Sequence, residues 1–154
     1  LLEVLEEAQG KVIIWATFTH SIKTLMEAIA EVHGSRSVAA YYGETPQDAR
    51  QEIVEAFQDP DSPLRFFVGQ PRTGGYGITL TEATTVVYFS NSYDLEIRLQ
   101  SEDRAHRIGQ NKPVTYIDLV SPDTIDEKIL EALYEKNVLA GTVLGEEVKG
   151  WLGG

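Results

Sequence analysis

The chain has 154 residues, 42% of them hydrophobic, and sets 13 Lys and Arg against 24 Asp and Glu, a formal net charge of −11. That length suits one globular domain burying roughly 68–70% of its unfolded surface, and the lack of any cysteine excludes disulfides, zinc ribbons and thiol catalysis. The acidic balance excludes a protein that grips nucleic acid over its whole surface, because phosphate binding draws on clustered Lys and Arg; any such contact has to be local.

The first seven residues, LLEVLEE, are acidic and amphipathic where a secretory leader would be basic and then apolar. No apolar run reaches the roughly 20 residues that span a bilayer. With a cysteine-free composition suited to a reducing compartment, the expectation is a soluble intracellular protein. It would be cytoplasmic or nucleoid-associated in a bacterium or phage, and nuclear in a eukaryote.

Residues 11–16 form the first predicted strand, and Val12-Ile13-Ile14-Trp15 is apolar on both faces, as in parallel sheets covered by helices on either side. A helical pattern follows over 21–33, with Thr19 or Ser21 placed to cap it. Residues 37–42 are the second strand. Thr45 is placed to cap the next helix, 46–58, with Pro46 at its first position. After the Asp59-Pro60-Asp61-Ser62-Pro63 break come strands at 64–69 and 84–90, a helix at 95–108, a strand at 114–120 and a helix at 124–139. This βαβα alternation predicts an α/β fold of three layers, a mostly parallel sheet with helices on both faces and right-handed crossovers. Residues 1–154 read as one domain, with 141–154 a Gly-rich terminal extension.

In such sheets ligands bind beyond the carboxyl ends of the strands, so the loops there carry the functional signal. After the third strand the chain reads Gln70-Pro71-Arg72-Thr73-Gly74-Gly75-Tyr76-Gly77-Ile78-Thr79-Leu80. Its glycines let backbone amides approach a phosphate closely, though they also suit a loop that merely turns tightly. On the helix over 95–108, at roughly 100° per residue, Gln100, Arg104 and Arg107 fall within about 60° of each other, and Gly109 is placed to end the helix. Two always-charged guanidinium forks on one face suit a polyphosphate; a solvated, ion-paired face is the plainer alternative. Within 98–112, Arg98, Arg104, Arg107 and Lys112 outnumber Glu102 and Asp103, which predicts a locally positive end on a negative body.

In order, Thr17-Phe18-Thr19, Tyr41-Tyr42-Gly43-Glu44-Thr45, Arg72 to Leu80, and Gln100-Ser101-Glu102-Asp103-Arg104-Ala105-His106-Arg107-Ile108-Gly109-Gln110 resemble the second RecA-like lobe of superfamily-two helicases. The last string, through Asp103-Arg104-Ala105-His106-Arg107-Ile108-Gly109-Gln110, is similar to that of the Swi/Snf-type DNA translocases. The resemblance runs from Lys11 to about Leu139. It implies an ATP-dependent DNA translocase in which Arg104 and Arg107 are arginine fingers that reach ATP across a cleft. Fingers of this kind are worth on the order of 10³ to 10⁵ in turnover. It further implies that Gln100, Gly75, Gly77 and Thr79 meet the nucleotide, and that Thr17, Phe18, Thr19, Gly43, Arg72, Thr73 and Gly74 meet the nucleic-acid backbone. The partners implied are the N-terminal RecA-like lobe of the same polypeptide and DNA, tracked as a duplex, with no membrane.

Two departures stand out. Gln70-Pro71 occupies a place where many members have Ser-Thr, so a hydroxyl contact to phosphate is missing, and Thr79 replaces a common Asn or Asp. The sequence contains no Gly-x-x-x-x-Gly-Lys-Ser/Thr stretch and no Asp-Glu motif after a strand. The expectation is therefore that ATP and Mg²⁺ belong to the complete two-lobe enzyme, that this lobe alone holds neither and is inactive, and that it contains no metal site. The competing readings are a catalytically inert module that docks nucleic acid or a partner, and a dinucleotide-binding or flavodoxin-like protein. The latter would need a glycine-rich loop after its first strand, and residues 15–21 contain no glycine.

Overall fold

The structure, a computed structural model, describes residues 1–73, 78–92, 94–106, 112–120 and 125–144, with side chains as far as 139. Among the described residues one sheet contains β1 (Lys11–Trp15), β2 (Val38–Tyr41), β3 (Phe66–Gly69), β4 (Ala83–Tyr88) and β5 (Thr115–Asp118). Every pairing is parallel, in the order β2-β3-β1-β4-β5. The helices are α1 (Leu2–Glu7), α2 (Thr19–His33), α3 (Gln47–Gln58), α4 (Leu95–Ala105) and α5 (Ile125–Leu144).

The layering follows from the two-residue period of β1, whose five residues are all buried. Val12 and Ile14 pack with Ile22, Leu25 and Ile29 of α2 and Leu5 of α1. Ile13 and Trp15 point the other way, to a cluster with Phe57 of α3 and Ala105 of α4. Chain direction explains which helix takes which face. The connection from β1 to β2 runs past β3 to the sheet edge, and the one from β2 to β3 runs back. Right-handed crossovers therefore put α2 and α3 on opposite faces, and α4, which leads outward from β4 to β5, on the same face as α3. The expected α/β fold with a parallel sheet between helical layers is thus the observed one.

Boundaries differ in ways that have causes. The helix α2 ends at Gly34, whose φ of 95° takes the chain into a conformation that side chains resist. A short 3₁₀ turn at Ser35–Ser37 then delays β2 to Val38. The segment expected as an extension from 141 is partly helix, because α5 continues to Leu144 through Gly141. Among the described residues no helix is long and apolar enough to cross a membrane.

Candidate functional site

The carboxyl ends of β3, β1 and β4 lie side by side, with Trp15 opposite Gly69 on one flank and Tyr88 on the other. A side chain at Gly69 would meet Tyr41 O, Phe67 and Trp15 at 3.0 Å each, so the close approach of these strands depends on glycine there. Beyond this edge a cleft of about 120 Å³ is lined by Thr17, Gln70, Arg72, Ser90, Asn91 and Asp94, among others. It sits where the connections from β1 and β4 leave in opposite directions, the switch point at which open α/β sheets bind ligands.

Three loops converge on one side of the cleft. After β1, the Thr17 amide donates to Ser90 Oγ (2.8 Å), and Phe18 is 65% exposed at the N-cap of α2. After β2, Thr45 Oγ1 accepts from the Tyr42 amide (3.1 Å) and donates to Ala40 O (2.9 Å), closing the turn that presents Gly43. Arg50 of α3 supports that turn from below, donating to Thr45 O (3.0 Å) and Tyr42 O (3.3 Å). The exposed rim of the loop pairs Glu44 with Lys23 at 3.2 Å. A hydrogen bond from the Tyr42 hydroxyl, with Lys23 beside it, holds the Glu44 carboxyl below its ordinary pKa. After β3, the Gln70 carboxamide reaches all the others: Oε1 accepts from Gly43 N (3.4 Å) and Thr73 Oγ1 (3.1 Å), while Nε2 donates to Thr17 O (3.3 Å) and Thr19 Oγ1 (3.4 Å).

The helix caps differ from those expected. Neither Thr19 nor Ser21 caps α2, whose N-cap is Phe18 with no side-chain bond. Thr45 does not cap α3 and Pro46 is its N-cap rather than its first residue. In both places the hydroxyl that was to cap is engaged across a loop instead, Thr19 by Gln70 and Thr45 by its own turn.

The other side of the cleft is α4, capped by Asp94, whose carboxylate accepts from Ile97 N at 3.2 Å. Its anchor is Arg98, 2% exposed, which sequence reasoning counted only as surface charge. The guanidinium donates to both oxygens of Asp118 (2.6 and 3.0 Å), to Glu102 Oε2 (2.9 Å) and to Asn91 Oδ1 (2.9 Å), and lies 3.6 Å from the centroid of the Tyr88 ring. Burial disfavours its charge, but Asp118, Tyr88 and Glu102 more than offset this and hold its pKa above the ordinary arginine value. The Tyr88 hydroxyl donates to Ser101 Oγ (2.7 Å), and burial pushes its own pKa up. Arg98 therefore joins β4, β5 and α4 in one charged knot. The i,i+4 spacing of Arg98 and Glu102 was the available signal for it.

Arg104 is placed at the far end of α4, 8% exposed, and its carbonyl accepts from Leu80 N at 2.8 Å. Gln100 is half-buried and pairs with Glu96 (3.3 Å), and Thr79 is half-buried beside Leu80. The helix ends at Ala105, with His106 extended (φ −124°, ψ 116°), short of the expected 108, and Gly109 does not end it. Arg107, Gly74, Gly75 and Gly77 lie outside the described residues. Thr17 and Arg72 line the cleft, and Gln70 ties Thr17, Thr19, Gly43 and Thr73 together; Gln100, Thr79 and Arg104 do not line it. The locally positive end is also smaller than the residue count suggests, because Arg98 is neutralised internally and Lys112 pairs with Glu82 at 3.5 Å.

Comparison with known proteins bears on this arrangement. Residues 1–109 match the family described as helicase conserved C-terminal domain. The human SWI/SNF-related matrix-associated actin-dependent regulator of chromatin subfamily A member 1 is 34% identical over 131 residues, covering 85% of this chain and 12% of that protein. The transcription regulatory protein SNF2 of Saccharomyces cerevisiae is 38% identical over 102 residues, 66% of this chain and 6% of that one. This chain thus spans a small part of the length of such relatives. Among solved structures, the C-terminal part of the Fun30 ATPase domain superposes with a TM-score of 0.71 at 30% identity, covering 84% of this chain and 41% of that one. The chain belongs to the helicase conserved C-terminal domain family, as a second RecA-like lobe of the Swi/Snf type.

Proposed function

We propose that this lobe is the second half of an ATP-dependent DNA translocase, paired with an N-terminal RecA-like lobe of the same polypeptide and acting on duplex DNA inside the cell, in the nucleus of a eukaryote. Arg104 and Arg107 act as arginine fingers on ATP bound mainly by the other lobe, with Gln100, Gly75, Gly77 and Thr79 at the nucleotide. Thr17, Phe18, Thr19, Gly43, Arg72, Thr73 and Gly74 track the DNA backbone. Mg²⁺ arrives with its ATP substrate, and this lobe contributes cationic and neutral donors to the phosphates.

The observation that carries this reading is the hydrogen bond from Leu80 N to Arg104 O, 2.8 Å. Leu80 ends the motif that begins at Arg72, so this bond joins a motif assigned to DNA to the backbone of a proposed finger residue. Coupling of this kind needs two arrangements of one element that both ligands bias, and closure of two lobes supplies them. The low exposure of Arg104 adds a requirement: closure has to turn its guanidinium tip toward the phosphates.

The reading predicts that the two-lobe protein hydrolyses ATP with stimulation by duplex DNA, whereas the purified 154-residue chain shows no hydrolysis above background with or without DNA. DNA-independent turnover by the isolated chain would contradict it. DNA binding without any ATPase activity in the two-lobe protein would favour the inert docking module.

A further inference from the structure

Gln70 stands where the resemblance led us to expect a lost contact, yet its carboxamide is the most connected polar group among the described loops. Both lone pairs of Oε1 are used, by Gly43 N at 3.4 Å and Thr73 Oγ1 at 3.1 Å, and both Nε2 hydrogens, on Thr17 O at 3.3 Å and Thr19 Oγ1 at 3.4 Å. A primary amide offers two donors and two acceptors and here all four are engaged. Its backbone is fixed as well, since Gln70 N donates to Tyr41 O (3.2 Å) and Gln70 O accepts from Thr73 N (3.2 Å). Pro71 adds to this from the sequence side: a residue before proline is held away from helical backbone angles, which limits the directions the Gln70 side chain can take.

We propose that Gln70 is a positioning residue that sets the three loops following β1, β2 and β3 in register with one another, so that the loops meet the DNA backbone together. The assignment rests on the proposed DNA-tracking role of those loops. The four partners come from three separate connections, 51 and 53 residues away for Thr19 and Thr17 and 27 away for Gly43. Thr17, Thr19, Gly43 and Thr73 are four of the seven residues assigned to DNA. Only an amide of this length serves. A carboxylate cannot donate to Thr17 O, an ammonium cannot accept from Gly43 N, and asparagine is one methylene too short to span the loops. The substitution of Gln-Pro for Ser-Thr thus exchanges a hydroxyl able to touch phosphate for an internal brace.

The test is the DNA dependence of ATP hydrolysis by the two-lobe protein in Gln70→Met, which preserves side-chain length without the hydrogen bonds, beside Gln70→Asn, Arg72→Ala and wild type. We expect Gln70→Met to raise the duplex DNA concentration for half-maximal stimulation by on the order of tenfold, with the KM for ATP within about twofold and the rate at saturating DNA largely restored. Gln70→Asn should shift it the same way and less. Thermal unfolding of each variant accompanies the assay, because a merely structural role would move both constants together, in step with the loss of stability. If Arg72→Ala weakens the DNA response while both Gln70 variants match wild type, the positioning role is wrong and the DNA-tracking reading survives. If neither Arg72→Ala nor Gln70→Met alters the response to DNA, the tracking role of these loops fails and the positioning role with it.

Discussion

Two side chains hold the carboxyl edge of the sheet together, and they do so by opposite means. Arg98 is charged, 2% exposed and bound to two carboxylates at 2.6–3.0 Å. Gln70 is neutral, half-buried and makes four bonds, three of them at 3.3–3.4 Å. A buried, charge-assisted network is stiff, because any displacement strands a charge in a poor dielectric. A set of longer neutral bonds can shift at small cost, with water replacing a lost partner. The contrast matches the work proposed for each side: α4 keeps its shape while it delivers Arg104, and the three loops adjust as the contacted strand advances.

The largest loss is expected at Arg98. Arg98→Met strips both Asp118 and Glu102 of the guanidinium that bonds them, and removing one side of such a network costs about 3–5 kcal/mol. Urea unfolding of the two-lobe protein should show a large drop in the midpoint of this lobe; a change under about 1 kcal/mol would mean that the knot is not the anchor described. On the loop side the losses should be smaller. Thr45→Val keeps shape but leaves the Tyr42 amide and Ala40 carbonyl short of a partner, and we expect about 1–2 kcal/mol by the same measurement. Gln70→Met should be milder still, at or below about 1 kcal/mol, because solvent can reach the groups it abandons. An order of effects other than Arg98, Thr45, Gln70 would undo the distinction between a stiff side and an adjustable one.

How much of this was legible in the sequence depended on the range of the forces involved. The strands were legible because Val12-Ile13-Ile14-Trp15 and Val86-Val87 are apolar on both faces, which only a covered parallel sheet requires. Helices were found by their apolar period, but their ends were misread, since Thr19 and Thr45 had equally good partners across loops that local sequence does not reveal. The position of Arg98 shows the same limit. Its pairing with Glu102 is one helical turn away, whereas Asp118 comes to it only because β4 and β5 pair Tyr88 with Asp118. Gln70 was read as a deficit because residue type was compared at one position, while its four bonds come from three loops meeting in space. Arg107 and the glycines of residues 74–77, whose roles rest on the motif resemblance, lie outside the described residues and keep that basis alone.

Single-turnover ATP hydrolysis by the two-lobe protein, with Arg104→Ala and Arg107→Ala beside wild type and ATP binding measured in parallel, decides whether this lobe supplies the arginines that complete an ATPase site on another lobe. We predict that both variants bind ATP within a few-fold of wild type and lose turnover by about 10³-fold or more, since a finger acts on charge that develops in the transition state. Hydrolysis at near wild-type rates in both variants would contradict the claim and leave this lobe as a docking module on a RecA-like frame.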